Sequence, residues 1–263
     1  MKLWTSGTVE VSGGCLAYHR TGGGGPVLVL SHGLTDNGLC WSRFAAAMER
    51  DFDVVMLDAR GHGDSSRPVD AMSFDPGRDI AEAIDRLNLI SPILMGHSVG
   101  ARAAAACAGR AAGRVAKVIL EDPPPVPPLE PSAVDGRRRR FRRQVEAFRA
   151  MTDAELLAMG KAAHPQWSEE EFPAWVAAKR QVDPEAAPSY ASSWEDEIAA
   201  IAVPTLLVHG EADRGGLVTP EIAAAAVALN PNIRPVQIDG AGHNVRRENF
   251  TAFLVAVRHF LSP

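Results

Sequence analysis

Ser98 stands inside the run ILMGHSVGARAA (93–104), between Gly96 and Gly100, where a short apolar strand pattern stops and an alanine-rich helical pattern starts. A strand that closes in G-x-S-x-G and turns at once into a helix holds its serine on a tight, strained bend, with the hydroxyl presented at the top of the sheet. The two glycines let the flanking chain pack closely. The amide of Val99 falls at the helix N-terminus, where unpaired N–H groups favour negative charge. This is the chemistry of a nucleophile that attacks a carbonyl and leaves an oxyanion beside a backbone donor. The plainer reading is a serine that only caps a helix.

A serine hydroxyl needs an adjacent base, and the base needs a third group to orient it. His243 in GAGHNV follows the strand pattern IRPVQIDG, and Asp213 in HGEADRGG follows PTLLVHG. The chain order Ser98, Asp213, His243 suits a nucleophile, an orienting acid and a base carried on the strand ends of one sheet. His243 would take the Ser98 proton, and Asp213 would fix the imidazole tautomer. Asp239, just ahead of GAGH, reads as a loop-shaping residue. A second oxyanion donor is expected from the turn SHGLTDNG (31–38), with Gly33 allowing close approach and the Leu34 amide as donor. Leu39 and Trp41 near that turn, and Phe148, Trp167 and Trp194 further along, are the candidate pocket side chains.

These residues need a frame. Strand patterns at 8–11, 15–20, 26–32, 54–58, 93–97, 115–122, 204–210 and 233–240 are mostly separated by helical patterns at 41–50, 77–88, 98–112, 219–229 and 246–261. Such alternation predicts an α/β fold with right-handed crossovers and a mostly parallel sheet, the first two strands antiparallel. Residues 123–194 break the rhythm. The proline-rich PPPVPPLEP (123–131) is followed by helical patterns near 136–150, 153–163, 168–181 and 184–190, which predict a helical cap inserted into a core of 1–122 and 195–263. Open parallel sheets bind ligands beyond the carboxyl ends of their strands, where that cap would sit.

Composition narrows the function. With 263 residues, 46% of them hydrophobic, the chain can bury the core of one large domain with an insertion. A net charge of −5 gives no reason to expect a nucleic-acid partner. No apolar run reaches membrane-spanning length and the N-terminus lacks a signal-peptide core, so a cytoplasmic protein without a membrane partner is expected. Cys15, Cys40 and Cys107 are scattered, with neither a disulfide framework nor metal-ligand spacing. GRRRRFRRQ (136–144) reads as a solvated helix face, the sharper option being one arginine turned into the cleft. TGGGGP (21–26) lacks the lysine and helix of a phosphate loop and reads as a connection.

Taken together, LSHGLTDNG (30–38), LDARGHGDS (57–65), MGHSVGA (95–101), VHGEADRGG (208–216) and GAGHNV (240–245) resemble the α/β-hydrolase family across the sheet core, while the cap matches nothing useful. The resemblance implies about eight mostly parallel strands, hydrolysis through an acyl-enzyme, no metal and no organic cofactor. Serine at position 98 separates the chain from the haloalkane dehalogenases and epoxide hydrolases of that fold, which usually carry aspartate there. Some members carry the acid at the strand that here ends VILED, which makes Asp122 the alternative to Asp213. The family pattern gives His32 and His97 packing and hydrogen-bonding roles; His62 and His209 read as structural. A small carboxylic ester or lactone is the expected acyl substrate. C–C hydrolysis, amide cleavage and cofactor-free perhydrolysis are alternatives on the same residues, and a ligand-binding scaffold is the reading from another class. The oligomeric state stays open, a homo-oligomer included.

Overall fold

The computed structural model describes residues 4–67, 74–110, 113–127, 130–187 and 192–262. Its strands are β1 (Thr5–Val11), β2 (Gly14–Arg20), β3 (Val27–Ser31), β4 (Asp53–Leu57), β5 (Ile93–His97), β6 (Lys117–Glu121), β7 (Thr205–His209) and β8 (Ile233–Gln237). They form one sheet in the order β1-β2-β4-β3-β5-β6-β7-β8. β2 runs antiparallel to both β1 and β4; every other pairing is parallel. The central strands VLVLS, DVVML, ILMGH, KVILE and TLLVH are buried almost throughout, as a sheet covered on both faces requires.

Register brings the functional ends together. Ser31 pairs with Gly96, His97 with Glu121, and Glu121 with Val208, so the loops leaving β3, β5, β6 and β7 emerge side by side. Side chains alternate between two apolar layers. Leu94, Val118, Leu120 and Leu207 face α2 (Pro76–Arg86) and α3 (Val99–Arg110) after α1 (Ser42–Met48) has covered the other side with Leu30, Met95, Ile119 and Val208. The alanines of α3 keep it close to its neighbours: a Cβ on Gly77 of α2 would come within 2.8 Å of Ala106.

Between β6 and β7 the chain builds α4 (Pro131–Ala150), α5 (Asp153–Ala163), α6 (Phe172–Gln181) and α7 (Trp194–Ala199). Phe141, Val145 and Phe148 form the buried stripe of α4 at helical spacing, which leaves Arg139, Arg140, Arg142 and Arg143 exposed. Phe148, Leu156, Trp167, Phe172 and Trp175 make a small core of their own. Buried Arg102 of α3 binds both ends of this insertion, donating to the carbonyls of Pro124, Val126 and Ser192 and forking onto Glu197.

Two expectations change. Pro184 and Glu185 form a turn where a helix over 184–190 was expected; residues 188–190 lie outside the described set. The helical pattern at 246–261 resolves into α9 (Val245–Glu248) and α10 (Phe250–Leu261), preceded by α8 (Pro220–Leu229). Asn249 interrupts the run because its side chain caps α10 at the Ala252 amide. Among the described residues no helix is long and apolar enough to cross a membrane.

Burial lowers the pKa of His32, His62 and His97, that of His62 to about 3. The unfolded chain takes up these protons near pH 6.5 and the folded chain resists them. The stabilisation is therefore present above that pH and is lost as pH falls toward the folded values, by about 1.4 kcal/mol per unit for each histidine kept neutral. Urea unfolding is expected to show a clearly lower midpoint near pH 5 than near pH 7.5. An equal midpoint would contradict the assignment of buried, uncharged rings.

Candidate active site

Ser98 has φ +55°, a left-handed backbone that a serine adopts only under constraint. Its amide donates to Glu121 O at 2.9 Å on the neighbouring strand, and its carbonyl accepts from the Ala101 amide at 3.0 Å. Both flanking glycines are required sterically. A Cβ on Gly96 would lie 2.2 Å from Gly100 O, and one on Gly100 would lie 2.4 Å from the Ser31 and His32 carbonyls.

His243 Nε2 is 3.1 Å from Ser98 Oγ, and Nδ1 is 2.6 Å from an oxygen of Asp122. Asp122 follows β6 directly and is fully buried. A carboxylate there accepts the Nδ1 proton, which leaves Nε2 unprotonated and able to accept from the serine hydroxyl. The expectation for Asp213 is corrected on this geometry. Asp213 lies in a short 3-10 turn, exposed, and its carboxylate has no hydrogen-bond or ion-pair partner among the described residues. The loop that carries it serves the site differently: the amides of Leu217 and Val218 donate to Asp122 at 2.9 and 3.1 Å. The β7 loop thus supplies donors to an acid standing on β6.

The imidazole is held from its backbone as well. His97 Nε2 donates to His243 O at 3.0 Å, and the Glu248 carboxylate accepts from the amides of Gly242 and Asn244. His97 therefore supports the loop of the base, its ring centroid 4.8 Å from that of His243. His32 donates from Nδ1 to Gly33 O and accepts the Ala59 amide on Nε2, while His209 bonds to Gly210 O.

The amides of Leu34 and Val99 have no hydrogen-bond partner among the described residues. Both residues, with Gly33 and Gly100, line a cavity of about 300 Å³. It continues along α3 past Ala103 and Ala106 to Phe74 and Pro76, and His62 and Arg102 contribute polar wall. None of the five expected pocket residues lines it. Trp41 is fully buried beneath the Arg246 guanidinium, 4.0 Å from its ring, and Leu39 stands in the turn beside it. Phe148 and Trp167 belong to the small core of the insertion, and Trp194 packs with Ile198 in the layer of α3. Each ring found a place between elements, where most of its area is removed from water. Among the described residues no three His, Cys, Asp or Glu side chains are grouped to hold a metal ion.

A buried charge network adjoins the site and was not anticipated from the sequence. Asp36, on the turn after β3, meets Arg247 at 3.0 Å, Lys179 of α6 at 3.3 Å and Arg246 at 3.6 Å. Arg246 also reaches Glu121 at 3.1 Å, and Arg247 reaches Glu171 at 3.2 Å. Burial alone would raise the Asp36 carboxyl, but the three cations hold it well below the ordinary carboxylate range. Burial pulls Lys179 below the usual lysine value against the attraction of Asp36. The clue available in sequence was the pair RR at 246–247, three and four residues after His243.

Asp122→Asn is expected to slow labelling of Ser98 by a fluorophosphonate by orders of magnitude, about 10⁴-fold where a mis-set imidazole tautomer is the defect. Asp213→Asn should stay within about threefold of the unsubstituted protein. The reverse ranking would restore Asp213 as the acid.

Comparison with known proteins agrees with the fold. A family model described as alpha/beta hydrolase fold matches residues 26–246. The N-formylmaleamate deformylase of Pseudomonas putida is 30% identical over 270 aligned positions, 97% of this chain and 96% of that protein. The crystal structure of E-2-(acetamidomethylene)succinate hydrolase superposes with a TM-score of 0.82 at 23% identity, covering 98% of this chain and 99% of its own. An esterase from a Rhodococcus species superposes with a TM-score of 0.76 at 26% identity, covering 99% and 98%. By the extent of the family match and of the deformylase alignment, the chain belongs to the α/β-hydrolase fold family.

Proposed function

We propose that this hydrolase cleaves a small acyl compound through an acyl-enzyme on Ser98, with His243 as base and acid and Asp122 as the orienting carboxylate. The observation that carries the reading is the continuous line from Asp122 through both imidazole nitrogens to Ser98 Oγ, at 2.6 and 3.1 Å. Ser98 Oγ attacks the acyl carbon as its proton passes to His243 Nε2. The carbonyl oxygen becomes an oxyanion that accepts from the Leu34 and Val99 amides. The imidazolium returns its proton to the leaving group, whose bond to the acyl carbon breaks. A water then gives a proton to His243 and attacks the acyl carbon; the bond from that carbon to Ser98 Oγ breaks as the imidazolium returns the proton to Oγ, which releases the carboxylic acid and restores Ser98.

The first bond class is a carboxylic ester or lactone; the cavity of about 300 Å³ borders the Leu34 and Val99 amides, while Ser98 and His243 are not part of its lining. A second reading, cleavage of an amide-type C–N bond, is favoured by the 30% identity, across nearly the whole chain, to a protein named for deformylating N-formylmaleamate. The same residues serve both, because both pass through one tetrahedral intermediate. The helices between β6 and β7 act as the cap over the acyl site.

The test is turnover of p-nitrophenyl acetate, a five-membered lactone and N-formylmaleamate by the protein and by Ser98→Ala. Turnover of at least one class is expected, with an ester burst equal to the enzyme concentration where deacylation limits. Ser98→Ala should lose at least about 10³-fold. Activity that survives Ser98→Ala would sink the acyl-enzyme, and preference for N-formylmaleamate over both esters would decide for the second reading.

A further inference from the structure

Lys179 projects from α6 and is only 2% exposed. Its ammonium donates to Thr35 O at 2.9 Å, to Thr35 Oγ1 at 2.9 Å and to Asp36 Oδ1 at 3.3 Å. The Trp175 and Phe148 rings lie 4.5 and 5.8 Å from it and shield it from water. Two of its three bonds therefore go to one residue of the turn after β3.

That turn is closed by the Asp36 amide on Gly33 O at 3.1 Å, with Leu34 and Thr35 at its corners. Thr35 has φ +65°. Positive φ at the second corner is a position that glycine ordinarily takes, and a β-branched residue there is an outlier that its surroundings must enforce. Lys179 contributes to the charge balance of Asp36, which Arg247 also meets at 3.0 Å, but its two shorter bonds go to Thr35 and not to the carboxylate. What Lys179 adds is a grip on both oxygens of the strained residue, one position beyond the Leu34 amide.

We propose that Lys179 is a positioning residue through which the inserted helices lock Thr35 in its left-handed conformation and so hold the Leu34 amide toward the oxyanion. The inference rests on the acyl-enzyme reading above. The oxyanion site is then complete only while α6 is docked on the turn.

The experiment compares p-nitrophenyl acetate with its thiono analogue in the unsubstituted protein and in Lys179→Met, which keeps an unbranched stem one atom shorter and removes the ammonium. A C=S sulfur accepts an N–H bond weakly, so the oxo-to-thiono ratio of kcat/KM reports the donors and not general integrity. In Lys179→Met, kcat on the oxoester should fall about 10²-fold, with KM nearly unchanged and the ratio reduced at least about tenfold. If Lys179→Met lacks a cooperative thermal transition, Lys179→Gln is read in its place, with the ratio lowered in the same direction. A folded variant with the unsubstituted ratio overturns the inference and leaves the acyl-enzyme reading standing. Unsubstituted protein that turns over neither ester and takes no fluorophosphonate on Ser98 fails that reading, and this inference with it.

Discussion

A carboxylate with no exposure to water is tolerable only when its lone pairs are occupied, and the arrangement of His243 against Ser98 depends on one such group. Asp122 is shielded completely and is held by two backbone amides and an imidazole N–H. Leaving an ionised carboxylate buried without those donors would cost several kcal/mol. Its oxygens in turn decide which nitrogen of His243 carries the proton, and through that which nitrogen faces Ser98. The segment after β7 is shaped around this need: its amides at 217 and 218 point back at β6.

The strand ends accept strain to build the site. Ser98, Asp122 and Thr35 all have positive φ, at +55°, +42° and +65°. Each such residue costs on the order of 1–3 kcal/mol and persists only where its neighbours over-determine it. Parallel register does this for Ser98, whose amide bonds to Glu121 O, and for Asp122, whose amide bonds to Val208 O at 2.8 Å. Thr35 has no strand to lean on and is gripped by Lys179. The ions beneath are balanced, with Asp36, Glu121 and Glu171 set against Lys179, Arg246 and Arg247. A buried network of this kind is weak evidence for stability, but removing one member costs about 3–5 kcal/mol because it strands the others. Its value here is geometric, since it joins the β3 turn, the end of β6, the helix after His243 and the inserted helices.

Much of this was legible from the chain. Short apolar strands and long helices differ in period, so the sheet, its crossovers and the serine bend could be read from local pattern. Ser98 and His243 lie in turns whose glycines announce them. Asp122 and Asp213 were not separable that way. Both stand just past a strand, Asp122 directly after β6 and Asp213 in the loop after β7; β6 and β7 are hydrogen-bonded neighbours, and only their register and the path of one loop decide which carboxylate reaches the imidazole. Local pattern carries no record of either. The aromatic residues misled for a related reason, because Trp41, Phe148, Trp167 and Trp194 satisfy an interior as readily as a cleft. The break at Asn249 was hidden because helical periodicity continues through it and only the capping bond reveals the restart.

The most direct measurement is a crystal structure of the protein with a phosphonate covalently attached to Ser98. The account predicts one phosphonyl oxygen accepting from both the Leu34 and Val99 amides, and His243 Nδ1 still on Asp122. An imidazole turned to Asp213, or a phosphonyl oxygen facing away from both amides, would contradict it.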